Sequence, residues 1–345
     1  MDAEKVGKAI SYLRKRVGYT QRELADRIGV SDKAVSKWER GLGFPDTAII
    51  GKIAILLDSD TDSLLAGDIV HHNKDWTGLL ILEENMHGIS AGTIIYDKPL
   101  VYFLLGYFML MGIKEIQIVC GETDQRYIET KLGDGEELGL KFNYWRQIPK
   151  QKYITDASSV MVVTGKSLIF GVDQTRFFQK AMMDRERITV LSLPKKKIES
   201  SSRIYFNSDK QVVTSEDGMQ LRTQYDYYQI PIMFCPSKII RDIRMPDLSS
   251  EAALSVAVRD EVMYTVVLDR GFVEIPVETW NDVMDASLFV KTVQRACGLQ
   301  IYCIEEIAWR RGMISHTKFY ELGLKYGNTP YGQYICDMAE AGRKK

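Results

Sequence analysis

Residues 20–41 read TQRELADRIGVSDKAVSKWERG, and this stretch decides the fold of the N-terminal part of the chain. Thr20, followed three residues later by Glu23, has the form of a capping box, in which each side chain accepts a hydrogen bond from the other residue's backbone N–H. The pattern predicts a helix that begins at Gln21. That helix should end at Gly29, because a residue without a Cβ atom adopts the left-handed conformation easily.

A second short helix is predicted directly after the first. Ser31 is a second N-cap residue, Val35 and Trp38 follow at helical spacing, and Gly41 ends the segment. Two short helices joined in this way form a helix-turn-helix, whose second helix can enter the major groove of DNA. The core side chains predicted for the first helix are Leu24, Ala25 and Ile28.

This stretch resembles the phage-repressor-like (Cro/repressor, XRE-type) helix-turn-helix family, and the resemblance extends over residues 5–66, including an apolar helix at 47–57. It implies sequence-specific binding to double-stranded DNA. The residues that the resemblance assigns to phosphates or base edges are Thr20, Gln21, Ser31, Asp32, Lys33, Ser36, Lys37 and Arg40, with Arg14, Lys15 and Arg16 as further phosphate candidates. The alternative is that Thr20 and Ser31 are only helix caps and that the charges form a solvated face.

The charge is distributed unevenly along the chain. The whole sequence has a net charge of -1, so it offers no general attraction to nucleic acid or anionic membranes. Residues 1–41 carry ten basic and six acidic side chains, whereas residues 42–70 carry one basic and five acidic side chains. The basic excess therefore coincides with the predicted helix-turn-helix.

A change of pattern near residue 70 divides the chain. We predict a helix-turn-helix domain at 1–68, a linker at 69–77 and a second domain at 78–345. The second domain contains apolar runs between helical segments, which predicts an α/β domain with a mixed, largely parallel sheet. The four clearest runs are residues 79–82, 116–119, 160–163 and 188–191.

Length and composition limit the remaining classes. With 345 residues and 45% hydrophobic side chains, the chain can form two or three packed domains. No apolar stretch approaches the ~20 residues of a membrane span and no signal peptide is evident, so a cytoplasmic location is expected. The five cysteines are widely spaced and predict reduced thiols, while His71, His72, His87 and His316 do not form a metal-ligand pattern.

The second domain resembles the glucose-1-phosphate thymidylyltransferases. The resemblance is close at Tyr96-Asp97-Lys98-Pro99 and continues through residues 132–140 and 298–334. It implies a three-layer, Rossmann-like α/β fold of the nucleotide-diphospho-sugar transferase type. Such enzymes transfer a nucleotidyl group to a sugar phosphate, which requires a phosphate-binding loop, cationic side chains and Mg²⁺ held by carboxylates.

The residues that the family uses for this chemistry are absent at several positions. The glycine-rich loop is replaced by residues 83–91, which are acidic at their start and have Ser90 at the family's lysine position. Lys166 stands at the position of one Mg²⁺-binding aspartate. Pro276 stands at the position of the other, with Glu274 and Glu278 beside it.

Two further elements of the family's site are changed. The segment that contacts base and sugar is shortened between residues 147 and 156. The Glu-Lys-Pro motif that contacts the sugar phosphate becomes Glu-Asp-Gly at Glu216. The sequence therefore predicts a nucleotidyltransferase scaffold without catalytic residues, with no metal site and no cofactor.

These observations lead to one principal hypothesis and two alternatives. The principal hypothesis is a transcription regulator whose second domain forms a homodimer or homotetramer and senses a sugar nucleotide or nucleotide through Lys166, Glu216 and Glu274. One alternative is an active sugar-1-phosphate nucleotidyltransferase that uses Mg²⁺ and carries a regulatory helix-turn-helix. The other is a protein-interaction module whose basic helices bind a protein partner.

Overall fold

The computed structural model of the chain divides into two compact units, residues 1–71 and 72–345. It describes residues 2–17, 19–57, 61–66, 76–84, 86–146, 148, 159–195, 203–213, 226–241 and 262–343. Most of the predicted linker lies outside the described residues. The first strand of the second unit begins at Trp76, earlier than the start predicted at residue 78.

The first unit consists of short helices. They are α1 (Ala3–Val17), α2 (Gln21–Ile28), α3 (Asp32–Glu39), α4 (Thr47–Leu56) and α5 (Thr61–Ala66). The predicted capping box is confirmed: the Glu23 N–H donates to Thr20 Oγ1 at 3.1 Å, and the Thr20 N–H donates to the Glu23 carboxylate at 2.7 Å. Gly29 ends α2 with a φ of 81°.

The core of the first unit lies between these helices. Leu24, Ala25 and Ile28 are buried as predicted and contribute to one apolar cluster. Helix α1 crosses α3 at a backbone contact, because a Cβ atom built on Gly7 would lie 2.0 Å from the Trp38 carbonyl oxygen. A glycine is therefore required where these two helices cross.

The second unit is built on a mixed sheet. Its strands are β1 (Trp76–Leu82), β4 (Glu115–Cys120), β5 (Lys141–Trp145), β6 (Ser159–Thr164), β8 (Ile188–Lys195), β9 (Arg203–Phe206), β10 (Val212–Val213), β11 (Asp226–Pro236) and β12 (Met263–Val267). Two small antiparallel pairs lie outside it: β2 (Ile94–Ile95) with β3 (Lys98–Pro99), and β7 (Ser167–Phe170) with β13 (Val273–Pro276). The four predicted apolar runs fall in β1, β4, β6 and β8.

The centre of the sheet is parallel. Strand β1 lies between β4 and β6, so that Leu80 is opposite Ile118 on one side and Val163 on the other. Strand β5 continues the parallel part beyond β4, whereas β11 runs antiparallel between β6 and β8. All residues of β1 are buried, as expected for a strand covered on both faces. The predicted mixed α/β fold is confirmed.

Helices cover the sheet and follow it at the C-terminal end of the chain. They are α6 (Leu100–Leu110), α7 (Glu122–Leu132), α8 (Gln174–Met182), α9 (Ser237–Arg241), α10 (Trp280–Cys297), α11 (Ile304–Arg310), α12 (His316–Lys325) and α13 (Pro330–Arg343). Helix α6 is buried from Leu100 to Met109, and an apolar surface on all sides is typical of a helix enclosed by other elements.

The fold also bears on the cysteines and on a possible membrane span. All five cysteines are free thiols, and Cys120, Cys235 and Cys303 are buried. In the part of the chain that the structure describes, no helix combines the length and the apolar character that a membrane span requires.

Candidate functional site

Helix α3 exposes a polar, mostly basic face. Its opposite face is buried through Val35 and Trp38. Asp32, Lys33 and Lys37 are exposed, as is Arg40 directly after the helix, and Ser36 is half-buried. Lys33 and Lys37 are four residues apart and therefore lie on the same side of the helix. The structure thus brings together most of the residues predicted to contact DNA.

Thr20 and Ser31 lie at the N-terminal ends of α2 and α3. Both are exposed, and each hydroxyl accepts a backbone N–H, from Glu23 at 3.1 Å and from Ala34 at 3.2 Å. Their role as helix caps is confirmed. Helix N-termini also attract anions, because the first N–H groups and the helix dipole point toward them.

A buried ion pair fixes α1, α2 and α3 to one another. Arg14 donates from Nε to Glu39 Oε1 at 2.5 Å and from Nη2 to Glu39 Oε2 at 3.1 Å. The Gln21 amide donates to the same carboxylate at 2.8 Å, and Arg14 also donates to the Tyr19 carbonyl. Burial acts to raise the pKa of Glu39, but the hydrogen bonds from Arg14 and Gln21 outweigh it and hold this pKa below its ordinary value.

This ion pair corrects one prediction. Arg14 was a candidate for phosphate contact, but its side chain is only 8% exposed and is bonded to Glu39. Gln21, also predicted to contact phosphate, directs its amide to Glu39. Spacing along α1 could have indicated a role for Arg14 inside the domain, because it lies four residues after Ile10, which is fully buried.

The second unit has a charged cluster at the carboxyl end of its parallel strands. Lys166 lies in the turn between β6 and β7, and its side chain is buried, with Nζ donating to the Glu83 carbonyl at 2.5 Å. Burial lowers the pKa of Lys166 below its ordinary value, and the carboxylates of Asp124, Glu84 and Glu83 oppose that shift. The ammonium group therefore lies among carboxylates, where it neutralises part of their charge.

Asp124 was not identified from the sequence. It lies in the first turn of α7, directly after β4, and its carboxylate accepts the Ala91 N–H at 2.7 Å. Burial raises its pKa, partly offset by the Ala91 hydrogen bond and by Lys166. An acidic residue in the first helical turn after a buried strand is a signal in the sequence, but Glu122 meets it as well, so the signal does not single out Asp124.

The residues at this edge do not fit Mg²⁺. A Mg²⁺ site needs carboxylate or water oxygens in octahedral geometry, whereas Lys166 places an ammonium group here, bonded to the Glu83 carbonyl. Across the described ranges, no three side chains of the His, Cys, Asp and Glu types are grouped so that they could hold a metal ion.

Of the other two predicted ligand residues, Glu274 lies in the described part of the chain, and it is on a different element from this cluster. Glu274 lies on β13, opposite Ile169 of β7, and together with burial its carboxylate raises the pKa of the Tyr228 hydroxyl. Glu216 lies outside the described residues. The structure therefore groups Lys166 with Glu83, Glu84 and Asp124, and the carboxylate of Glu278 also acts to raise the pKa of Lys166.

Comparisons with known proteins match the two units of the chain to two different kinds of protein. A helix-turn-helix family model matches residues 10–64. A glucose-1-phosphate thymidylyltransferase of Neisseria meningitidis is 28% identical over 268 residues, which cover 73% of this chain and 92% of the relative. One from Mycobacterium tuberculosis is 24% identical over 273 residues, covering 73% and 93% respectively.

A solved structure from Bacillus anthracis, provisionally assigned as a glucose-1-phosphate thymidylyltransferase and bound to sucrose, superposes with a TM-score of 0.48 at 12% identity, covering 62% of this chain and 94% of that one. The chain contains a region that matches the helix-turn-helix family model in residues 10–64, followed by a domain similar to the glucose-1-phosphate thymidylyltransferases.

Proposed function

We propose that the chain is a sequence-specific transcription regulator that binds double-stranded DNA through α3. The observation that carries this proposal is the exposed basic face formed by Lys33 and Lys37 on the second helix of a helix-turn-helix, with Arg40 directly after the helix and the half-buried Ser36 beside them. Lys33 and Lys37 contact phosphates or base edges, and Thr20, Ser31 and the backbone N–H of Gln21 lie where helix N-termini meet the DNA backbone. Asp32 contributes selectivity, because a carboxylate accepts a hydrogen bond from cytosine N4 and repels phosphate.

The lysines of α3 provide the direct test. We expect the double variant Lys33→Ala/Lys37→Ala to bind the chain's own promoter region more weakly, because two phosphate-neutralising charges are lost. The slope of log Kd against log salt concentration should fall by about two. Fluorescence anisotropy at several salt concentrations measures both quantities.

Lys52 offers a matched control in the same domain, since it is an exposed lysine on α4, outside the proposed interface. Lys52→Ala should bind DNA like the wild type. Equal slopes for the wild type and for the double variant would refute the proposed use of α3.

In this proposal the second domain is an inactive relative of the nucleotidyltransferases that assembles the regulator into oligomers. The support is the burial of Lys166 among carboxylates at the edge where Mg²⁺ would be needed. One ammonium group among carboxylates cannot stabilise the negative charge that develops on phosphoryl oxygens during nucleotidyl transfer, which needs Mg²⁺, several cations and backbone N–H groups there.

We therefore predict no turnover. The protein, incubated with thymidine triphosphate, glucose 1-phosphate and Mg²⁺, should release no pyrophosphate above the blank, under conditions in which the Neisseria meningitidis relative is active.

The second candidate function, an active nucleotidyltransferase with a regulatory helix-turn-helix, is favoured by a similarity that spans 92% of that relative. Pyrophosphate release that copurifies with the chain would establish it.

The second domain also senses a ligand in this proposal. A sugar nucleotide or nucleotide at this edge would displace the Glu83 carbonyl from Lys166 and place its phosphates against the freed ammonium, with Glu216 and Glu274 as candidate contacts to the sugar. Calorimetry with thymidine and uridine sugar nucleotides tests this. Binding heat that Lys166→Ala abolishes supports sensing, and silence across the panel leaves oligomerisation as the domain's role.

A further inference from the structure

The outer face of α10 is an apolar stripe. The inner face of this helix is buried through Val283, Ala286, Val290 and Gln294. On the outer face, Trp280 is 59%, Met284 69% and Leu288 63% exposed. These three side chains are four residues apart, so they follow one side of the helix over two turns.

The β2–β3 hairpin extends this stripe. The Tyr96 N–H donates to Ser287 Oγ at 3.0 Å, which places the hairpin beside α10. Tyr96 and Ile94 are both exposed apolar side chains. We call the five side chains of Ile94, Tyr96, Trp280, Met284 and Leu288 the α10 patch. Contiguous exposed apolar surface of this kind is typical of a protein–protein interface.

The charges along α10 indicate what covers the patch. Asp285 makes the N-terminal half acidic, whereas the basic residues Lys291 and Arg295 occupy the C-terminal half; Asp282 is half-buried, and its carboxylate accepts the Thr279 N–H in the capping box. Asp285, Lys291 and Arg295 are exposed. A second α10 lying antiparallel would place each acidic half against a basic half, while a parallel one would place like charges together.

We propose that the α10 patch is a homodimer interface, in which the α10 helices of two copies pack antiparallel across a two-fold axis. A two-fold interface uses the same patch on both copies and must be complementary to itself; an apolar centre with opposite charges at its two ends meets that condition. The proposal rests on the proposed function in one respect: helix-turn-helix proteins of this type bind paired half-sites as dimers.

The first experiment changes the apolar centre. Leu288→Glu puts a carboxylate in the middle of the interface, where burial without a partner is strongly unfavourable. Size-exclusion chromatography with light scattering should show a dimer or a tetramer for the wild type. The variant should have half the mass, with a dissociation constant at least about a hundredfold higher.

Leu324→Glu is the matched control, since Leu324 is an exposed leucine of α12 outside the patch. It should leave the mass unchanged. A monomeric wild type, or an unchanged mass for Leu288→Glu, overturns the proposal.

The second experiment tests whether the charges of α10 meet those of a second α10 across the interface. Lys291→Glu/Arg295→Glu makes the outer face of α10 acidic along its length, and Asn281→Lys/Asp285→Lys makes its N-terminal half basic. Each variant alone should dissociate, because its copies repel one another. An equimolar mixture should form heterodimers at several times the fraction of either variant alone, a recovery that no contact within one chain can produce.

A mixture that stays monomeric overturns the antiparallel interface. DNA binding, measured on the same samples, separates the two proposals. If Leu288→Glu and the mixture behave as expected while the wild type does not bind DNA, the interface stands and the proposed function fails. If the wild type is a monomer that binds DNA with the predicted salt dependence, the interface fails and the function stands.

Discussion

Replacing Glu39 by leucine should lower the free energy of unfolding of the first domain by about 3–5 kcal/mol, because the Arg14 guanidinium then stays buried without its carboxylate. Arg14 and Glu39 are 8% and 6% exposed, and the pair joins α1 to the end of α3, with Gln21 of α2 bonded to the same carboxylate. The packing of three helices thus depends on the Glu39 carboxylate. Hydrogen exchange of the 20–41 segment in the full-length protein measures this loss.

Two further variants separate the ion pair from a general effect of substitution. Glu4→Leu removes an exposed ion pair with Lys8, whose side chains are 70% and 67% exposed. It should change the stability by well under 1 kcal/mol. The double variant Arg14→Met/Glu39→Leu removes both buried charges and should recover at least half of the loss. A double variant no more stable than Glu39→Leu would mean that the ion pair is not the cause.

The same pair makes the stability depend on pH. The pKa of Glu39 is lowered in the folded protein relative to its ordinary value of 4.5. Its contribution is therefore complete above about pH 4.5 and is lost as the pH falls through the lower folded value. Protection of the 20–41 segment should decrease in that range in the wild type. The Glu39→Leu variant should lack this component.

The helix-turn-helix shows what the sequence can predict and what it cannot. The start of α2, its left-handed end at Gly29 and the N-cap of α3 at Ser31 are local features, since each depends only on residues within about four positions of it. All three were predicted. The bond from Arg14 to Glu39 joins residues 25 positions apart. It depends on how three helices pack, which the sequence pattern leaves open, so the basic residue Arg14 was wrongly predicted to contact phosphate.

In the second domain, too, local features were predicted, whereas contacts between distant residues were not. Four buried strands were predicted from their apolar runs, because burial is a property of each run by itself. Lys166 was singled out because it stands at the position of a Mg²⁺-binding aspartate in the family, but its contact with the Glu83 carbonyl was not predicted. Asp124 was missed because it joins the cluster only through the order β4–β1–β6, which places the ends of non-consecutive strands side by side. Strand order is a tertiary property, and a list of strands does not contain it.

Buried polar contacts between elements that are distant in the sequence were not predicted either. Lys98 belongs to the Tyr-Asp-Lys-Pro motif, and its ammonium donates to Asp97 at 2.7 Å and to the Gln294 side chain at 3.0 Å. Gln294 lies 196 positions further along the chain, on α10. The motif revealed the family resemblance, but only the structure shows that its lysine ties the start of α6 to the helix that carries the α10 patch.

The close contact between α1 and α3 predicts that replacing glycine by alanine has opposite effects on the stability of the first domain at Gly7 and at Gly51. Gly7→Ala should destabilise the first domain by about 2–3 kcal/mol, because the new methyl group would lie 2.0 Å from the Trp38 carbonyl oxygen. That oxygen belongs to the backbone of α3, so relief requires the two helices to separate. Such a shift would also strain the bond between Arg14 and Glu39, which joins the same pair of helices.

Gly51→Ala is the matched control on α4, where no atom lies within 4 Å of the added methyl group. Alanine is the better helix former, so this variant should gain about 0.5–1 kcal/mol. Hydrogen exchange of the first domain in the two full-length variants gives the sign of each change directly. Destabilisation by both would point to a general intolerance of substitution, and stabilisation by both would mean that α1 and α3 are not in backbone contact. Opposite signs would establish that α3 is held against α1 at Gly7, and so that the position of the exposed basic face of α3 depends on a glycine of another helix.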